Sequence, residues 1–187
     1  ENGVERLANG DTSLIQTESG LAEIVPIESE WQCLTLVWTN RSAHTPSLVD
    51  AVFSFRDSQP TQYLRIMDEI GAAAEDGTRA WCAQDSTGLR DAMQRSGEAL
   101  RALESGAHVA LWTEVHHRLS RLAKERNGAL KPTGAGGGDL AWAHFGDESA
   151  WLSFQSAVTD EGFLTLTLPI DPQGVTLGSP AVDFSTP

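Results

Sequence analysis

A short segment in the second half of the chain, residues 131–139, has the residue types needed to bind an anion. Its sequence is KPTGAGGGD, with four glycines in the five positions 134–138. Glycine tolerates left-handed backbone, and a turn rich in glycine can approach a surface closely and point several amide N–H groups into one concavity. Phosphates suit such a concavity, so the segment predicts a protein that handles phosphate groups. A glycine run alone is more often a linker, but the flanking Lys-Pro-Thr and Asp favour the anion site.

The elements that must position this segment are strands and helices whose patterns are visible in the sequence. Strand patterns occur at residues 13–17, 21–27, 33–38, 129–131, 140–145, 163–170 and, more briefly, 175–177. Helical stripes occur at residues 48–53, 64–81, 89–103, 111–122 and 148–158, with Pro46 and Pro60 in the first turns of the first two. Gly106 and Gly128 are predicted to end the third and fourth helices. Strands at both ends of a helical block predict an α+β fold, an antiparallel sheet with a layer of helices.

Composition excludes several classes of protein. The 187 residues carry a net charge of −13 with only 13 Lys and Arg, whereas a protein that holds nucleic acid needs a basic face, so no nucleic-acid partner is expected. No apolar run is long enough to span a membrane, and no cleavable signal is present, so no membrane partner is expected either. Cys33 and Cys82 stand alone in a chain too large to depend on disulfides, which predicts a reduced, cytoplasmic setting.

Two segments resemble one kinase family. Residues 131–139 resemble the C-terminal glycine motif of the GHMP kinases, which include galactokinase, homoserine kinase, mevalonate kinase and phosphomevalonate kinase. The Asp after the third consecutive glycine, Asp139, is most similar to phosphomevalonate kinases. Residues 37–45, VWTNRSAHT, resemble the WTG-x-x-AST stretch that follows a strand in phosphomevalonate kinases, and residues 166–170, LTLPI, resemble their last strand.

The resemblance covers about residues 10–178 and implies a ferredoxin-like GHMP kinase C-terminal domain at residues 31–178. Residues 1–30 would be N-terminal strands or a remnant of the inter-lobe region, and residues 179–187 a tail. In this family an N-terminal lobe with a P-x-x-x-G-L-x-S-S motif holds the ATP phosphates, and that pattern does not occur in the 187 residues. The resemblance therefore implies the second half of a kinase that uses ATP and Mg²⁺, phosphorylates a small substrate such as phosphomevalonate, and works with its N-terminal lobe or a partner chain.

The residues expected to contact phosphate or substrate lie in the two motifs: Lys131, Thr133, Gly134, Gly136, Gly137, Gly138 and Asp139 in the first, and Arg41, Ser42 and Thr45 in the second. In phosphoryl transfer the glycine amides would cradle a phosphate, because such catalysis is mostly positioning and charge stabilisation. Lys131 and Arg41 would neutralise phosphate or carboxylate, and the hydroxyl groups would hydrogen-bond it. Alternatively, these two cations lie free on the surface and Asp139 only caps the turn.

The position of the family's catalytic Asp is occupied by a glutamate. Residues 3–9, GVERLAN, can be laid without a gap on the family pattern G-x-D-x-A-A-S, which puts Glu5 at the Asp position. One more methylene moves the carboxylate by more than about an ångström, a misplacement that can cost roughly two orders of magnitude in rate. Glu5 is therefore a candidate catalytic base, with an ordinary solvated glutamate near a terminus as the favoured alternative.

Departures from the family leave a second function open. Asn40 stands where the family has Gly, and His44 where it has Ser. Together with Glu5 they are compatible with a degenerate, non-catalytic module of the same fold that binds or regulates. No metal site is predicted, because His116 and His117 point about 100° apart on a helix and no Cys or carboxylate stands at ligand spacing. Each is instead expected to be a partly exposed helix histidine.

Overall fold

A computed structural model describes residues 13–17, 20–24, 31 and 33–166 of the chain. The described elements are β1 (Ser13–Thr17), β2 (Gly20–Ile24), β3 (Leu34–Trp38), α1 (Thr45–Ser58), α2 (Pro60–Cys82), α3 (Ser86–Ala107), α4 (Glu114–Lys124), β4 (Ala129–Pro132), β5 (Leu140–His144), α5 (Glu148–Asp160) and β6 (Leu164–Leu166). Glu5, the predicted strand at 175–177 and the predicted tail at 179–187 lie outside the described residues. The predicted domain limits therefore stay predictions.

The chain divides into two compact units, Glu1–Glu30 and Trp31–Pro187. In the first, β1 and β2 pair antiparallel, from Ser13 opposite Ile24 to Thr17 opposite Gly20. This register is the hairpin that two adjacent strand patterns with a short connection predict.

The second unit has a four-stranded antiparallel sheet in the order β4-β5-β3-β6. Along the chain the order is strand β3, a block of four helices, the hairpin β4–β5, helix α5 and strand β6. This is the β-α-β-β-α-β arrangement of ferredoxin-like folds, with a four-helix insertion as the first crossover. The predicted α+β fold with an antiparallel sheet is confirmed.

Side-chain caps fix where three of the helices begin. The carboxylate of Asp85 accepts the amides of Thr87 and Gly88 at the start of α3, at 3.1 and 3.0 Å. Asp147 does the same for the amide of Ala150 in α5, at 2.8 Å. Helix α4 begins at Glu114 behind the cap residue Thr113, so the predicted start of this helix at residue 111 is wrong. Capping satisfies amide groups that have no partner inside the helix.

Gly106 does not end the third helix. Helix α3 continues to Ala107, and His108 ends it with a left-handed φ of 52°. A Cβ at Gly106 would overlap the ring of Phe55 from α1. This glycine is therefore a point of close packing between two helices.

Gly128 does not take the left-handed cap position either. That position belongs to Asn127, with a φ of 54°, and the amide of Gly128 donates to the carbonyl of Ala123 at 2.8 Å. A Cβ at Gly128 would overlap the ring of Phe145. The prediction that a helix stops at Gly106 is wrong, whereas Gly128 does follow the end of α4 and only its cap conformation is taken by Asn127. Each of the two glycines is needed where an aromatic ring from a distant part of the sequence packs on it.

The core has two main parts that together hold the glycine segment. One lies between the sheet and helices α4 and α5, and its buried members are Val37, Leu119, Ala123, Leu130, Ala141, Ala143, Phe145, Phe154 and Val158. The other joins α1, α2 and α3, and its buried members are Leu48, Phe55, Ile66, Leu103, Ala107 and Leu111. Burying each large apolar side chain contributes about 1.5–3 kcal/mol.

None of the helices in the described part of the chain has the length and apolar composition that crossing a bilayer needs.

Candidate functional site

The glycine segment is the connection between β4 and β5, and its backbone requires glycine. Gly134, Gly136 and Gly137 have φ angles of 53°, 76° and 78°, in the left-handed region that residues with a Cβ rarely adopt. Asp139 also has a left-handed φ, of 53°, which Asp tolerates better than most residues. The chain therefore forms a tightly folded loop and not an extended linker.

One side of this loop is attached to the connection between α3 and α4. The amide of Gly137 donates to the carbonyl of Leu111 at 2.8 Å. A Cβ at Gly136 would lie 2.6 Å from that same carbonyl oxygen, and one at Gly137 would lie 2.8 Å from a methyl carbon of Leu48. At Gly136 the close approach of the Leu111 backbone excludes a side chain, whereas at Gly137 the left-handed φ of 78° and the contact with Leu48 disfavour one.

The other side is attached to the segment that follows β3. The amide of Asp139 donates to the carbonyl of Arg41 at 2.6 Å. Thr39 is 2% exposed, and its hydroxyl lies 2.9 Å from the carbonyl oxygen of Asp139 and 3.1 Å from that of Arg41. A Cβ at Gly138 would lie 2.6 Å from the Arg41 carbonyl oxygen. The structure thus brings together the two segments, 37–45 and 131–139, that carry the sequence motifs.

Thr133 closes the base of the loop. Its amide and its hydroxyl both donate to the carbonyl of Leu140, each at 3.0 Å. With its proton committed to the protein, this hydroxyl offers only lone pairs outward, which do not suit a phosphate oxygen. Thr133 therefore shapes the loop, and its predicted hydrogen bond to an anion does not fit this conformation.

Two of the four glycine amides are used inside the protein. The amide of Gly136 donates to the carbonyl of Thr133 at 3.1 Å, and Gly137 is bonded to Leu111. Among the described residues, the amides of Gly134, Ala135 and Gly138 have no hydrogen-bond partner. Gly134 and Ala135 are also exposed, so they are the loop amides that an anion in solution can reach. Of the four glycines predicted to cradle a phosphate, Gly136 and Gly137 therefore have amides that are already bonded within the protein.

Lys131 is a half-buried cation in β4. Burial lowers the pKa of its ammonium group, and within the described residues it forms no salt bridge. A half-buried cation without a carboxylate is stabilised by any anion that reaches it. Arg41, Ser42 and Thr45 are exposed.

Asn40 and His44 lie in the segment that leads from β3 into α1. Asn40 has a left-handed φ of 58°, a conformation that glycine adopts freely and that asparagine tolerates best among the other residues. The Nδ1 atom of His44 lies 2.9 Å from the hydroxyl oxygen of Ser47, at the start of α1. Asparagine at position 40 therefore suits the left-handed turn that leads from β3 into α1.

The predicted exposure of one histidine is wrong. His116 is fully buried, with 0% of its surface exposed, because its ring turns back toward the start of α4 and bonds Thr113. His117 is half-buried and lies against the ring of Trp112. Across the described ranges, no three His, Cys, Asp or Glu residues come together to hold a metal ion.

Sequence reasoning missed the residues that hold the loop from behind. Thr39 lies in the resembling segment 37–45, yet its buried hydroxyl group was not singled out. Leu111 acts through its carbonyl, which every residue has, so no sequence signal could identify it. The pattern Thr-x-x-His at 113–116 does resemble a capping box, in which the third helical residue reaches back to the cap.

Comparison with solved structures gives the fold. No protein-family model and no curated protein matches the sequence. A Lin0012 protein from Listeria innocua matches with a TM-score of 0.73 and 20% identity, over 79% of this chain and 41% of that one. L. major mevalonate kinase, in complex with R-mevalonate, matches with a TM-score of 0.67 and 15% identity, over 82% of this chain and 46% of that one.

A third structure is Streptococcus pneumoniae phosphomevalonate kinase in complex with phosphomevalonate and AMPPNP. It matches with a TM-score of 0.66 and 15% identity, over 81% of this chain and 43% of that one. The chain thus spans less than half the length of each of these structures. At these identities the likeness concerns the fold, and the fold of this chain is that of part of the mevalonate and phosphomevalonate kinases.

Proposed function

We propose that this chain is the C-terminal portion of a GHMP-family small-molecule kinase that resembles phosphomevalonate kinase. The observation that carries the proposal is the glycine loop, which is bonded on one side to Leu111 and on the other to Arg41. This double attachment gives the loop one conformation with outward amides, as a preorganised phosphate site requires. The fold likeness to kinases supports the same function.

In this proposal the exposed amides of Gly134 and Ala135 donate to a phosphate oxygen of the acceptor or of the transferring group. Lys131, three residues before Gly134, supplies positive charge. Burial lowers the pKa of its ammonium group, and a bound anion would favour the charged form and gain affinity from it. Arg41, exposed beside the loop, is the second cation available to a phosphate or carboxylate.

The complete kinase would also need ATP and Mg²⁺, which supply the phosphoryl group and neutralise its charge. In the family that the sequence resembles, the ATP phosphates are held by an N-terminal lobe, and the chain spans less than half the length of the kinases it matches. The chain alone is therefore proposed to be inactive, and to act with that lobe or a partner chain on a small phosphorylated substrate in the cytoplasm. Glu5 remains the candidate catalytic base.

A second function is a degenerate module that binds or regulates without catalysis. The observation that favours it is the small number of free donors in the loop, since Thr133 and two of the glycines donate their hydrogen bonds to groups inside the protein. The left-handed Asn40 favours the kinase, because a glycine, which the resembling family has at this position, adopts such a backbone freely.

The deciding experiment measures ATP turnover on the full polypeptide that contains this chain, with mevalonate, phosphomevalonate and homoserine as acceptors. We expect ADP release that depends on phosphomevalonate. If no acceptor is phosphorylated above background, the module is the function. The coding sequence before Glu1 offers a second test, since a P-x-x-x-G-L-x-S-S segment there is required by the kinase.

Two variants connect activity with the loop. Gly137→Val places a side chain against Leu48 and should abolish turnover while circular dichroism shows unchanged helix content. Lys131→Ala should raise the KM for the phosphorylated acceptor. Lys124→Ala is its matched control, because Lys124 is an exposed lysine in the last turn of α4. Equal KM values in the two lysine variants would remove Lys131 from the site.

A further inference from the structure

His116 is a buried titratable residue that the proposed function does not use. The amide of Thr113 donates to its Nδ1 at 3.1 Å, and the Thr113 hydroxyl lies 3.0 Å from the same nitrogen. The amide of His116 in turn donates to the Thr113 hydroxyl at 3.4 Å. This is a capping box in which histidine takes the position that glutamate or glutamine usually holds.

These bonds fix the tautomer of the ring. An amide N–H can only donate, so Nδ1 must be the acceptor and the neutral ring carries its proton on Nε2. The backbone of Leu140 interacts with the ring and opposes the lowering of its pKa. Nε2 is buried and makes no hydrogen bond to a described residue, so the Leu140 backbone is a neighbour of the ring and not its hydrogen-bond partner.

Thr113, which bonds the ring of His116, and Leu140, whose backbone lies beside it, both belong to the supports of the glycine loop. Thr113 ends the α3–α4 connection, whose Leu111 carbonyl holds Gly137. Leu140 begins β5, and its carbonyl accepts both donors of Thr133 at the base of the loop. The ring of His116 therefore lies between the connection that holds one side of the loop and the residue that closes its base.

The contacts of the α3–α4 connection show that it is held from the other side as well. Glu104 of α3 accepts the amide of Trp112, and the guanidinium of Arg101 lies 3.9 Å from the centre of the Trp112 ring. His117 lies against the same ring. Burial is the main cause that lowers the pKa of His116, and the charge of His117 is the second. The α3–α4 connection is thus held on one side by contacts with α3 and on the other side by His116.

We propose that His116 is a positioning residue for the anion site, one that spaces the α3–α4 connection from the start of β5 so that the glycine loop keeps a single conformation. The importance of this role for ligand binding rests on the proposed function. The order of the loop itself does not, and it can be measured without any ligand.

Amide hydrogen exchange of the whole chain, read by NMR, tests the role. The reporters are the amides of Gly137 and Thr133, and the reference is the set of amides in α5. His116→Phe keeps an aromatic ring and removes both nitrogens, so the protection factors of the two reporters should fall by about tenfold relative to α5, the loss expected for one weakened hydrogen-bonded contact. His116→Gln can still accept the Thr113 amide and should keep them close to wild type.

The dependence on pH separates positioning from simple packing. Burial lowers the pKa of His116 to about 4, and a proton on Nδ1 removes the acceptor for Thr113. Reporter protection, corrected for intrinsic exchange, should therefore fall in wild type as the pH approaches 4, and should not fall in His116→Gln. His144→Gln is the matched control, because His144 is also buried with a pKa of about 4 yet bonds Ser86 and not the loop. It should behave as wild type does.

The outcomes are distinct. Reporter protection within about twofold of wild type in His116→Phe would overturn the proposal, as would equal losses in the Phe and Gln variants. If His116→Phe does not fold, the pH comparison between wild type and His116→Gln decides alone. Titration with inorganic phosphate then separates the two proposals. A wild-type chain that binds no phosphate, but whose loop responds to these variants, refutes phosphate binding by the chain and keeps the positioning role.

Discussion

The attachment of the glycine loop to Leu111 can be tested by one substitution made at two positions. Gly134 and Gly136 both have left-handed φ angles, of 53° and 76°. A Cβ at Gly134 would meet nothing within 4 Å, whereas one at Gly136 would lie 2.6 Å from the backbone oxygen of Leu111. Alanine at either position carries the same backbone strain, so the difference between the two variants isolates the contact with Leu111.

The magnitude follows from three contributions. Left-handed strain costs about 1–2 kcal/mol in both variants. At Gly136 the crowding of a packed backbone adds about 1–3 kcal/mol, and weakening the bond from the Gly137 amide to Leu111 adds about 0.5–1.5 kcal/mol. We therefore expect Gly134→Ala to lower the free energy of unfolding by about 1–2 kcal/mol and Gly136→Ala by about 3–6 kcal/mol.

Urea unfolding followed by circular dichroism measures both values from the midpoints, provided that the slope m is unchanged. The comparison between the two variants needs no ligand and no N-terminal lobe, because both substitutions lie in the glycine loop of this chain. A difference of less than about 1 kcal/mol between the two variants would refute the attachment. The loop would then have room to move away from the α3–α4 connection, and a preorganised phosphate site could not be inferred from it.

Three further predictions concern the surroundings of the loop. Burial lowers the pKa values of His116 and His144 from 6.5 to about 4. Between these two values the unfolded chain binds more protons than the folded one, so the free energy of unfolding has its full value above about pH 6.5 and falls by at most about 3 kcal/mol per residue toward pH 4. Urea unfolding of the two His→Gln variants should show a smaller loss over the same pH range. Thr39→Val leaves the carbonyl groups of Arg41 and Asp139 without the hydroxyl and should cost about 1–3 kcal/mol in the same assay; an unchanged midpoint would mean that this hydroxyl does not hold the loop. Gly128→Ala should destabilise the folded protein by at least about 1–3 kcal/mol, because its Cβ overlaps a buried ring. Its control, Gly71→Ala on an open helix surface, should stabilise the protein by up to about 1 kcal/mol. Thermal unfolding measures both, and the opposite order would contradict the packing described for Gly128.

Much of the fold follows from local patterns in the sequence. The strand at 33–38, the helix starts at Pro46 and Pro60 and the hairpin around the glycine segment all depend on neighbouring residues, and the structure contains each of them. The helix ends were harder. Gly106 and Gly128 have the composition of a helix stop, but the rings that pack on them come from other elements, which a local pattern does not contain.

The sequence indicates the candidate loop, and the structure shows which of its backbone donors are already bonded within the protein. The segment 131–139 is recognisable because four glycines in five positions are rare. Which amides point outward depends on the carbonyls that accept the others, and the acceptors belong to Leu111 and Thr133. The burial of His116 follows from the tertiary packing of α4 on the sheet. Sequence reasoning therefore identifies the loop, and packing decides which of its atoms are available.

The bond between Thr39 and Asp139 joins residues 100 positions apart in the chain. Contacts of such separation form only after a large loop has closed, and the entropy of that closure must be overcome before the contact contributes. The glycine loop should consequently acquire its shape at a late stage of folding, after β3 has paired with β5 and the helical block has docked. A peptide of residues 129–145 would keep every glycine and none of these attachments. The proposed anion site would therefore exist only on a domain that has finished folding, and not on a nascent or partly unfolded chain.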